Sequence, residues 1–507
     1  MRLSQNKVTK FSVGFLLALF CVVLLSCTKP AHKETELDLR DRVKTIVLDN
    51  GMTFLLVRRD TAPTFSVQLR VKVGSIEDEP GATGLAHLFE HMAFKGTDKI
   101  GTKDFAKEKP ILDQVLAIGT QIAEMKRAGK PPEAYADLIK QRLALEAEQN
   151  QVIEKNDFMR IFQRNGGSDI NAWTSNDFTN YYVSLPSNKF ELWAYLQSEQ
   201  FTNRVFREFF TEKDVIAEER RMRVDNVPEV RLYEAYVNTA FKTSPYRVHP
   251  IGYPEDIQNY QPKEAMDFYA RYYIPSRIVV AIVGDIDLAV SEKIIRTYFS
   301  KLVKKPDTMK VIPPETLDGS YPRQVTIQEE AQPRFYLGYY RPAFPHPDDT
   351  ALDVVQGILC GGRTSRLYKR LVLKDHLVAQ VSCYSATPGV RADSMFTFTA
   401  IPLTGHTNDE VENVIREELQ ELAKNGPTED ELNIYKNKND ADLIYSLESN
   451  DGLASSLVFY QTLAGDWKYL YKALDQLHQT TPADVQRVVQ TYFVPGREVS
   501  AKLEHKP

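Results

Sequence analysis

Two histidines and a glutamate in the segment GLAHLFEHMAFKGT, residues 84–97, have the types and spacing of half a metal site. His87 and His91 are four residues apart, so on a helix both imidazoles lie on one face and can reach the same ion. Glu90 follows His87 by three residues and is too close to the helix to bind that ion comfortably with both histidines. A carboxylate in this position suits a general base that acts on a water molecule at the metal.

The order His-x-x-Glu-His reverses the more familiar His-Glu-x-x-His. The alternative interpretation is an accident on an exposed helix. The chain has nine histidines, and a random sequence of this composition would contain the pattern about once in a hundred cases. A third ligand in the right structural context would decide between the two interpretations.

The segment REFFTEKDVIAEERRMRVDN, residues 207–226, is the candidate source of that third ligand. Zinc hydrolases usually have three protein ligands and one open position. Glu212 and Glu219 are seven residues apart, which is two helical turns, so they share one face of a helix. One carboxylate can bind the metal while the other orients a histidine ring. Spacing alone leaves open an ordinary solvated acidic helix.

The elements that must position these side chains can be predicted from hydrophobic patterns. Leu85, Leu88, Phe89 and Met92 have the spacing of a helix with one face in a core. Upstream, KTIVLDNGMTFLLVRRD predicts two strands around the turn residues 49–51. The segment TFSVQLRVKVGS predicts a further strand by its alternation of apolar and polar residues.

The chain contains an internal repeat. PKEAMDFYARYYIPSRIVV begins at Pro262, and PADVQRVVQTYFVPGREVS begins at Pro482, 220 residues later. Each copy predicts a helix, a break at proline and an apolar strand. The positions that match in both copies are Tyr272 and Tyr492, Pro275 and Pro495, Arg277 and Arg497, and Val279 and Val499. A repeat of this period predicts a duplicated domain.

We therefore expect two α+β domains, residues 41–308 and 322–507, joined by a linker at 309–321. A fainter echo of PTFSVQLRV in PRFYLGYYR, near residue 333, supports the duplication. The first domain is longer because a charged, helix-prone stretch at about 105–160 is inserted in it. A break at residues 129–132 makes this stretch a helical hairpin.

Composition excludes some classes of function. The chain has 507 residues, of which 43% are apolar and 26% charged, an ordinary globular balance. Its net charge of −5 gives no electrostatic case for a nucleic-acid partner. No Cys-x-x-Cys spacing is present, so a metal site must use histidines and carboxylates. Cys360 and Cys383 could pair in an exported protein, but their spacing does not decide this.

The N-terminal residues 1–27 predict a targeting segment. Three basic residues precede the apolar run FSVGFLLALFCVVLLS, which is short for a membrane span and ends at Cys27. LLSC resembles a bacterial lipobox, in which the cysteine is lipidated and becomes the mature N-terminus. This resemblance implies a lipoprotein that is anchored to a membrane and faces the periplasm, with residues 28–40 as a tether. A plain signal peptide or a signal anchor is the alternative.

Taken together, the motifs resemble the pitrilysin/insulinase family of zinc peptidases, the inverzincins. His87, Glu90 and His91, followed by Glu212 and Glu219, match the family's metal-site pattern. The segments GGSDINAWTSNDFTNYYVSL, from residue 166, and GGRTSRLYKRL, from residue 361, resemble further family segments. The resemblance implies that His87, His91 and Glu219 bind one zinc ion, with Glu212 as the companion of Glu219. Glu218, the neighbour of Glu219, is the rival ligand.

The family resemblance implies a zinc metalloendopeptidase that hydrolyses peptides or small unfolded proteins in a closed chamber. Four α+β domains form this clamshell, and the chain supplies two of them. The substrate would add as a strand beside Asn171, Ala172 and Trp173, because main-chain pairing captures extended peptides. The alternative is a weakly active or non-catalytic scaffold subunit, against which the intact His-x-x-Glu-His motif argues.

The chain departs from the family pattern in its second domain. There the family has an Arg and a Tyr, seven residues apart, that donate hydrogen bonds to the oxyanion. In RLVLKDHLVAQV these positions fall on Val372 and Ala379, or, in another register, on Arg370 and Leu377. Neither register contains the tyrosine. We therefore expect a heterodimer with a related subunit that supplies the pair, with a homodimer as the alternative.

Overall fold

A computed structural model describes residues 39–315 and 320–506. Lys44–Pro507 form one compact unit. The proposed signal segment and Cys27 lie outside the described residues. Within the described ranges, no helix has the length and apolar character needed to cross a bilayer.

The first sheet has six strands in the order β1-β2-β6-β3-β5-β4. The strands are β1 (Val43–Val47), β2 (Thr53–Arg58), β3 (Thr64–Val71), β4 (Ser168–Thr174), β5 (Thr179–Pro186) and β6 (Ile278–Gly284). The predicted strand pair around residues 49–51 is present as β1 and β2. Gly51 adopts a φ of +93° in this turn, and the Asn50 side chain donates hydrogen bonds to the carbonyl oxygens of Phe299 and Leu302.

The second sheet repeats the topology of the first. Its strands are β7 (Arg323–Glu329), β8 (Arg334–Arg341), β9 (Val378–Thr387), β10 (Ser394–Pro402) and β11 (Val499–His505). Its order, β7-β11-β8-β10-β9, corresponds to β2-β6-β3-β5-β4. The pairs β2–β6 and β7–β11 are parallel, while β3–β6 and β8–β11 are antiparallel. The predicted duplication of an α+β fold is confirmed.

Helices pack against both sheets. Those from the first part of the chain are α1 (Leu85–Met92), α2 (Phe105–Arg127), α3 (Ala136–Val152), α4 (Asp157–Arg164), α5 (Phe190–Thr202), α6 (Phe209–Arg220), α7 (Pro228–Ala240), α8 (Pro254–Gln258), α9 (Pro262–Tyr272) and α10 (Leu288–Phe299). Those that follow are α11 (Asp349–Cys360), α12 (Asn408–Asn425), α13 (Glu429–Glu448), α14 (Asn450–Ala464), α15 (Tyr469–Gln479) and α16 (Pro482–Tyr492). The two copies of the sequence repeat are α9 with β6 and α16 with β11.

Each sheet has its own hydrophobic core. Val67 and Leu69 of β3 pack in the first core with side chains from α1, α5 and α10. Phe396 and Phe398 of β10 pack in the second core with side chains from α11, α12 and α16. β3 is buried on both faces because α14 covers the face opposite the first core. A strand that is buried on both faces can carry the polar Gln68 only where it finds a partner, here Asp451 of α14.

The inserted stretch is a helical hairpin formed by α2 and α3, which pack along each other. The chain turns between them at Gly129, which adopts a φ of +66°, and at Pro131, whose ring disfavours helix continuation. The hairpin ends at Val152. Residues 157–164, at the end of the predicted insertion, form the separate helix α4, with Phe158 and Phe162 in the first core.

A buried polar network joins the loop between β9 and β10 to segments around the first sheet. Arg391 donates hydrogen bonds to Glu77 at 2.7 Å and 3.2 Å and to the backbone oxygen of Asp177 at 2.6 Å. The Asp177 carboxylate accepts a hydrogen bond from the backbone N–H of Val390 at 2.7 Å. The Tyr246 hydroxyl accepts from the backbone N–H of Arg391 at 2.9 Å. These contacts hold the turn between β4 and β5 against the second sheet.

Cys360 and Cys383, whose pairing the sequence leaves open, form a disulfide. Their Cα atoms are 5.8 Å apart, within the usual range for this bond. The bond links the end of α11 to β9, so it fastens a helix of the second core to an edge strand of its sheet.

Candidate metal centre

Helix α1 presents the His-x-x-Glu-His motif away from the core. Leu85, Leu88, Phe89 and Met92 are buried in the first core, as their spacing predicts. The helix begins after Gly84, which adopts a φ of +89°. Because the apolar residues fix one face of the helix inward, the three polar side chains of the motif must lie on the other side.

The start of α1 is fixed by a buried carboxylate. Asp78 accepts hydrogen bonds from the backbone N–H groups of Gly84, at 2.7 Å, and Ala86, at 3.1 Å. A carboxylate at this end of a helix satisfies donors that have no partner within the helix. A Cβ atom at Gly84 would come within 2.4 Å of the backbone oxygen of Ile251, so only glycine fits this approach.

Helix α6 brings Glu212 and Glu219 to α1. The Nε2 atoms of His91 and His87 lie 3.3 Å and 3.8 Å from Oε2 of Glu219. One donor atom from each of these three residues falls within 4.8 Å of the others. Among the residues that the structure describes, this is the one cluster of three His, Cys, Asp or Glu side chains with such spacing. Glu212 accepts from Nδ1 of His91 at 3.3 Å.

The donor set has the chemistry of a zinc site. Two imidazole nitrogens and one carboxylate oxygen are typical of catalytic zinc, which keeps a further position open. The contact of Nδ1 of His91 with Glu212 turns Nε2 towards Glu219. Nδ1 of His87 is buried and has no hydrogen-bond partner among the described residues. Among the described residues, no carboxylate orients the His87 ring as Glu212 orients His91, so the packing around α1 sets the direction of that ring.

The two histidines of the cluster differ in their protonation. Burial lowers the pKa of His87 to about 4, and the nearby His91 acts in the same direction. Burial opposes the charged form of His91 as well, but its hydrogen bonds to Glu212 and Glu219 outweigh burial and raise the pKa to about 9. The hydrogen bond from His91 lowers the pKa of Glu219. His87 is therefore neutral near pH 7 and has a lone pair for a metal ion, whereas His91 must release a proton when a metal ion binds.

Glu90 lies beside the cluster and is not one of its three convergent donors. Burial raises the pKa of Glu90, and the hydroxyl of Thr174 at the end of β4 acts against this effect. Glu90 is therefore placed between the histidines of α1 and the edge strand of the first sheet. A carboxylate in this position can exchange a proton with a group that approaches along β4.

Glu218, the rival of Glu219 in the sequence, faces elsewhere. Its side chain is 51% exposed and lies 2.5 Å from Arg221. Glu219 is instead held on its far side by Arg223, whose guanidinium lies 3.0 Å from Oε1. The structure thus brings Glu219, and not Glu218, to the two histidines.

Lys95 belongs to the site but was not recognised from the sequence. Its Nζ atom lies 2.5 Å from Glu212 and 3.4 Å from Glu208. Burial opposes the ionised form of Glu212, but His91 and Lys95 outweigh it and lower the pKa of Glu212. Lys95 follows His91 by four residues. This helical spacing could have indicated that Lys95 lies near His91, although the helix itself ends at Met92.

The predicted substrate edge is an edge of the first sheet, since β4 is its last strand. The side chains of Asn171 and Trp173 are exposed, whereas Ala172 is buried in the first core. Ala172 could therefore offer only main-chain atoms to a peptide. Its backbone N–H already donates to the side-chain oxygen of Asn171 at 2.9 Å.

The stretch that begins at Arg370 has no tyrosine in place. Arg370 is paired with Asp375, and it lies 3.3 Å from Glu417 and 3.6 Å from Glu418. Val372 and Leu377 pack against the second core, and the methyl side chain of Ala379 cannot donate a hydrogen bond. In both registers the stretch lacks the pair of donors that the family pattern requires.

Comparison with family models identifies both parts of the chain. Residues 53–109 and 142–252 match the model described as insulinase, peptidase family M16. Residues 259–439 match the model described as peptidase M16 inactive domain. The gap between residues 109 and 142 falls within the helical hairpin.

Known proteins resemble the whole chain. The zinc protease PqqE of Helicobacter pylori is 28% identical over 496 residues, which cover 95% of this chain and 97% of that protein. The crystal structure of a protease from Helicobacter pylori has a TM-score of 0.75 at 27% identity and covers 92% of this chain and 99% of its own.

The periplasmic protease PqqL of Escherichia coli shares the fold, with a TM-score of 0.68 at 18% identity, over 92% of this chain but 48% of its own. The family models, the relatives and the shared half-clamshell fold together confirm the resemblance found in the sequence. This chain is a member of the pitrilysin/insulinase family of peptidases, family M16.

Proposed function

We propose that this chain is a zinc metalloendopeptidase that hydrolyses peptides or small unfolded proteins inside a closed chamber. The observation that carries the proposal is the convergence of donor atoms from His87, His91 and Glu219 within 4.8 Å, with Glu90 on the same helix as the two histidines. Membership of a family whose relatives are named zinc proteases supports it.

His87, His91 and Glu219 would hold one zinc ion per chain. Zinc in such a site supplies a Lewis acid that makes water nucleophilic at neutral pH and polarises a carbonyl. Glu212 keeps His91 oriented through Nδ1, and Lys95 holds Glu212 from its other oxygen. This chain of contacts fixes the direction of the His91 ring before any ligand arrives.

Glu90 would act as the general base and acid. Its carboxylate takes a proton from the water that attacks the scissile carbonyl and then passes the proton to the leaving amine. The peptide would lie along the edge of β4, whose Thr174 interacts with Glu90. Pairing through main-chain atoms accepts many sequences, which suits a peptidase of broad substrate range.

Removal of metal tests the proposed function directly. The purified chain should contain about one zinc ion. A chelator should remove both the metal and the activity, because the ion is held only by side chains and can be transferred to a stronger ligand. Elemental analysis and hydrolysis of quenched fluorescent peptides measure the two quantities. Zinc added back should restore both. A preparation that cleaves peptides at full rate without metal would contradict the mechanism.

We also propose that the active form is a heterodimer. The chain spans about half the length of PqqL, 48%, and the stretch at Arg370 lacks the complete arginine–tyrosine pair of the family pattern in either register. A related subunit with this pair, and without the metal motif, would complete the chamber and stabilise the oxyanion. A homodimer in which other groups stabilise the oxyanion is the rival arrangement.

Mixing the chain with its candidate partner is expected to raise peptide hydrolysis by about 10²- to 10³-fold, as restoration of an oxyanion donor does. The measurement compares the turnover of the chain alone, of the partner alone and of both together. If the pure homo-oligomer is fully active and the partner does not raise its rate, the active form is the homodimer and the heterodimer proposal is wrong.

We propose that the chain is exported and anchored through a lipid on Cys27, facing the periplasm. The evidence is the sequence of residues 1–27. Cys27→Ser should release the protein from the membrane or block its maturation, because the serine has no thiol to carry the lipid. Cell fractionation and mass spectrometry of the N-terminus measure the result. A wild-type protein found soluble, without lipid on Cys27, would show that the segment is a plain signal peptide.

A further inference from the structure

A groove of about 600 Å³ lies between helix α6 and helix α3 of the inserted hairpin. Glu219, which belongs to the metal cluster, is one of the residues that line it. Leu143 of α3 and Val215 of α6 line it, together with Met222, which follows α6. These three apolar side chains are 52%, 43% and 62% exposed. The groove therefore combines exposed apolar surface with a wall residue, Glu219, that it shares with the candidate catalytic centre.

A buried ion pair fixes the base of the hairpin. Arg207, just before α6, donates to both carboxylate oxygens of Glu108 on α2, at 2.6 Å and 2.8 Å. Gln149 of α3 donates to the same carboxylate at 3.1 Å. Both helices of the hairpin are thus tied to the segment that leads into α6. Two parallel hydrogen bonds from an arginine set the direction as well as the distance of this contact.

Two further contacts hold the hairpin along its length. The ring of Phe210 on α6 packs closely on Gly119 of α2, and a Cβ atom added at Gly119 would lie 1.8 Å from that ring. Near the end of α2, Arg127 donates to Glu264 at 2.7 Å and to the backbone oxygen of Asn259 at 3.1 Å. The hairpin is therefore held at its base, its middle and its tip, and α3, which packs along α2, forms the outer wall of the groove.

Most charged groups that line the groove are paired within it. Arg142 lies 2.5 Å from Glu146, and Arg223 lies 3.0 Å from Glu219. Glu218 is paired with Arg221 outside the lining, and Asp214 is the remaining charged residue of the lining. The exposed apolar surface of the groove is the stripe of Leu143, Val215 and Met222. Such a stripe favours a long apolar side chain over a charged one.

We propose that this groove is a specificity subsite that receives a long apolar side chain of the peptide substrate, with the inserted hairpin as its wall. The inference rests on the proposed peptidase function. The occupant is the substrate because Glu219 lines both the groove and the metal cluster, so a peptide held at the cluster lies beside the groove. The residue types predict that leucine or methionine is preferred over alanine at one position near the scissile bond.

The test uses the full chain, with its partner where one is required, and two variants of the groove, Val215→Ser and Leu143→Ser. The control is Val290→Ser on α10, which makes the same substitution as the first variant at a helix position that is 56% exposed and does not line the groove. Mass spectrometry of a digested peptide mixture gives the cleavage preference at each position around the scissile bond.

The wild type and Val290→Ser should prefer leucine or methionine at one position, and the groove variants should reduce kcat/KM for leucine over alanine there by about tenfold. Turnover of the alanine peptide should stay within about twofold. An unchanged profile in both groove variants would overturn the proposal. If the variants weaken association with the partner and leave the profile unchanged, the groove is a docking surface and the subsite assignment is wrong.

A second readout separates the subsite from the proposed peptidase activity. A leucine-rich peptide with a benzophenone group is irradiated with the Glu90→Gln protein, and the crosslinked residues are identified. Crosslinks to α3 and α6 that Leu143→Ser reduces would support the subsite even if no form of the chain hydrolyses peptides. Peptide hydrolysis by the wild type together with crosslinks confined to other surfaces would overturn the subsite and leave the peptidase intact.

Discussion

Glu90→Gln is expected to keep its zinc and lose peptide hydrolysis by about 10²- to 10⁴-fold, the usual contribution of a general base. The amide has nearly the shape of the carboxylate but cannot take a proton from water. Glu90 is not among the convergent donors of the cluster, so its replacement should leave metal binding intact. Zinc content and kcat/KM, measured on the same preparation, give the two halves of the result.

The exposed Glu124 of α2 offers a matched control, since Glu124→Gln makes the same substitution on another helix. It should retain both zinc and activity. An active Glu90→Gln protein would exclude Glu90 as the base. If Glu90→Gln loses the metal as well, Glu90 supports the cluster structurally, and its catalytic role would need a separate demonstration.

Replacement of Glu219, the proposed third ligand, should have the second large effect. Glu219→Gln is expected to weaken zinc binding by more than about a hundredfold, because it removes a charged donor from the metal itself. Glu212→Gln should cost about ten- to a hundredfold, as loss of a partner that orients a ligand does. Zinc affinity is measured by competition with a chromogenic chelator, so the result does not depend on catalysis.

Glu218→Gln is the matched control for this series, since Glu218 is adjacent to Glu219 but is paired with Arg221 on the exposed side of α6. Its zinc affinity should equal that of the wild type. A loss of metal in Glu218→Gln, with Glu219→Gln unaffected, would place the ligand one residue earlier in the helix. It would also require α6 to rotate relative to α1.

Local spacing accounts for the parts of the site that the sequence could predict. His87 and His91 converge because four residues make about one helical turn, and the buried face of α1 decides where they point. The choice of Glu219 over Glu218 needed more than spacing, because both lie within one turn of the same helix. The family resemblance favoured Glu219, and the structure places Glu219 beside the two histidines and Glu218 on the exposed side of α6.

Contacts between distant parts of the chain could not be predicted in this way. Arg207 and Glu108 are 99 residues apart, and Arg391 and Glu77 are 314 apart. No periodicity links such pairs, so neither the anchoring of the hairpin nor the network between the sheets has a local signal. The disulfide between Cys360 and Cys383 is a similar case, since only the fold of the second sheet brings the two thiols together.

The network around Arg391 limits how one chain can move. Leaving a buried charge without its partner costs about 3–5 kcal/mol. The population of a conformation in which the loop of Arg391 has moved away from Glu77 would therefore be less than about one molecule in a hundred. The network therefore opposes hinge motion between the loop of Arg391 and the segments of the first sheet that it contacts. In the proposed dimer, the gate that admits a peptide must then be the seam between two chains, and the strength of that seam would set the rate of entry.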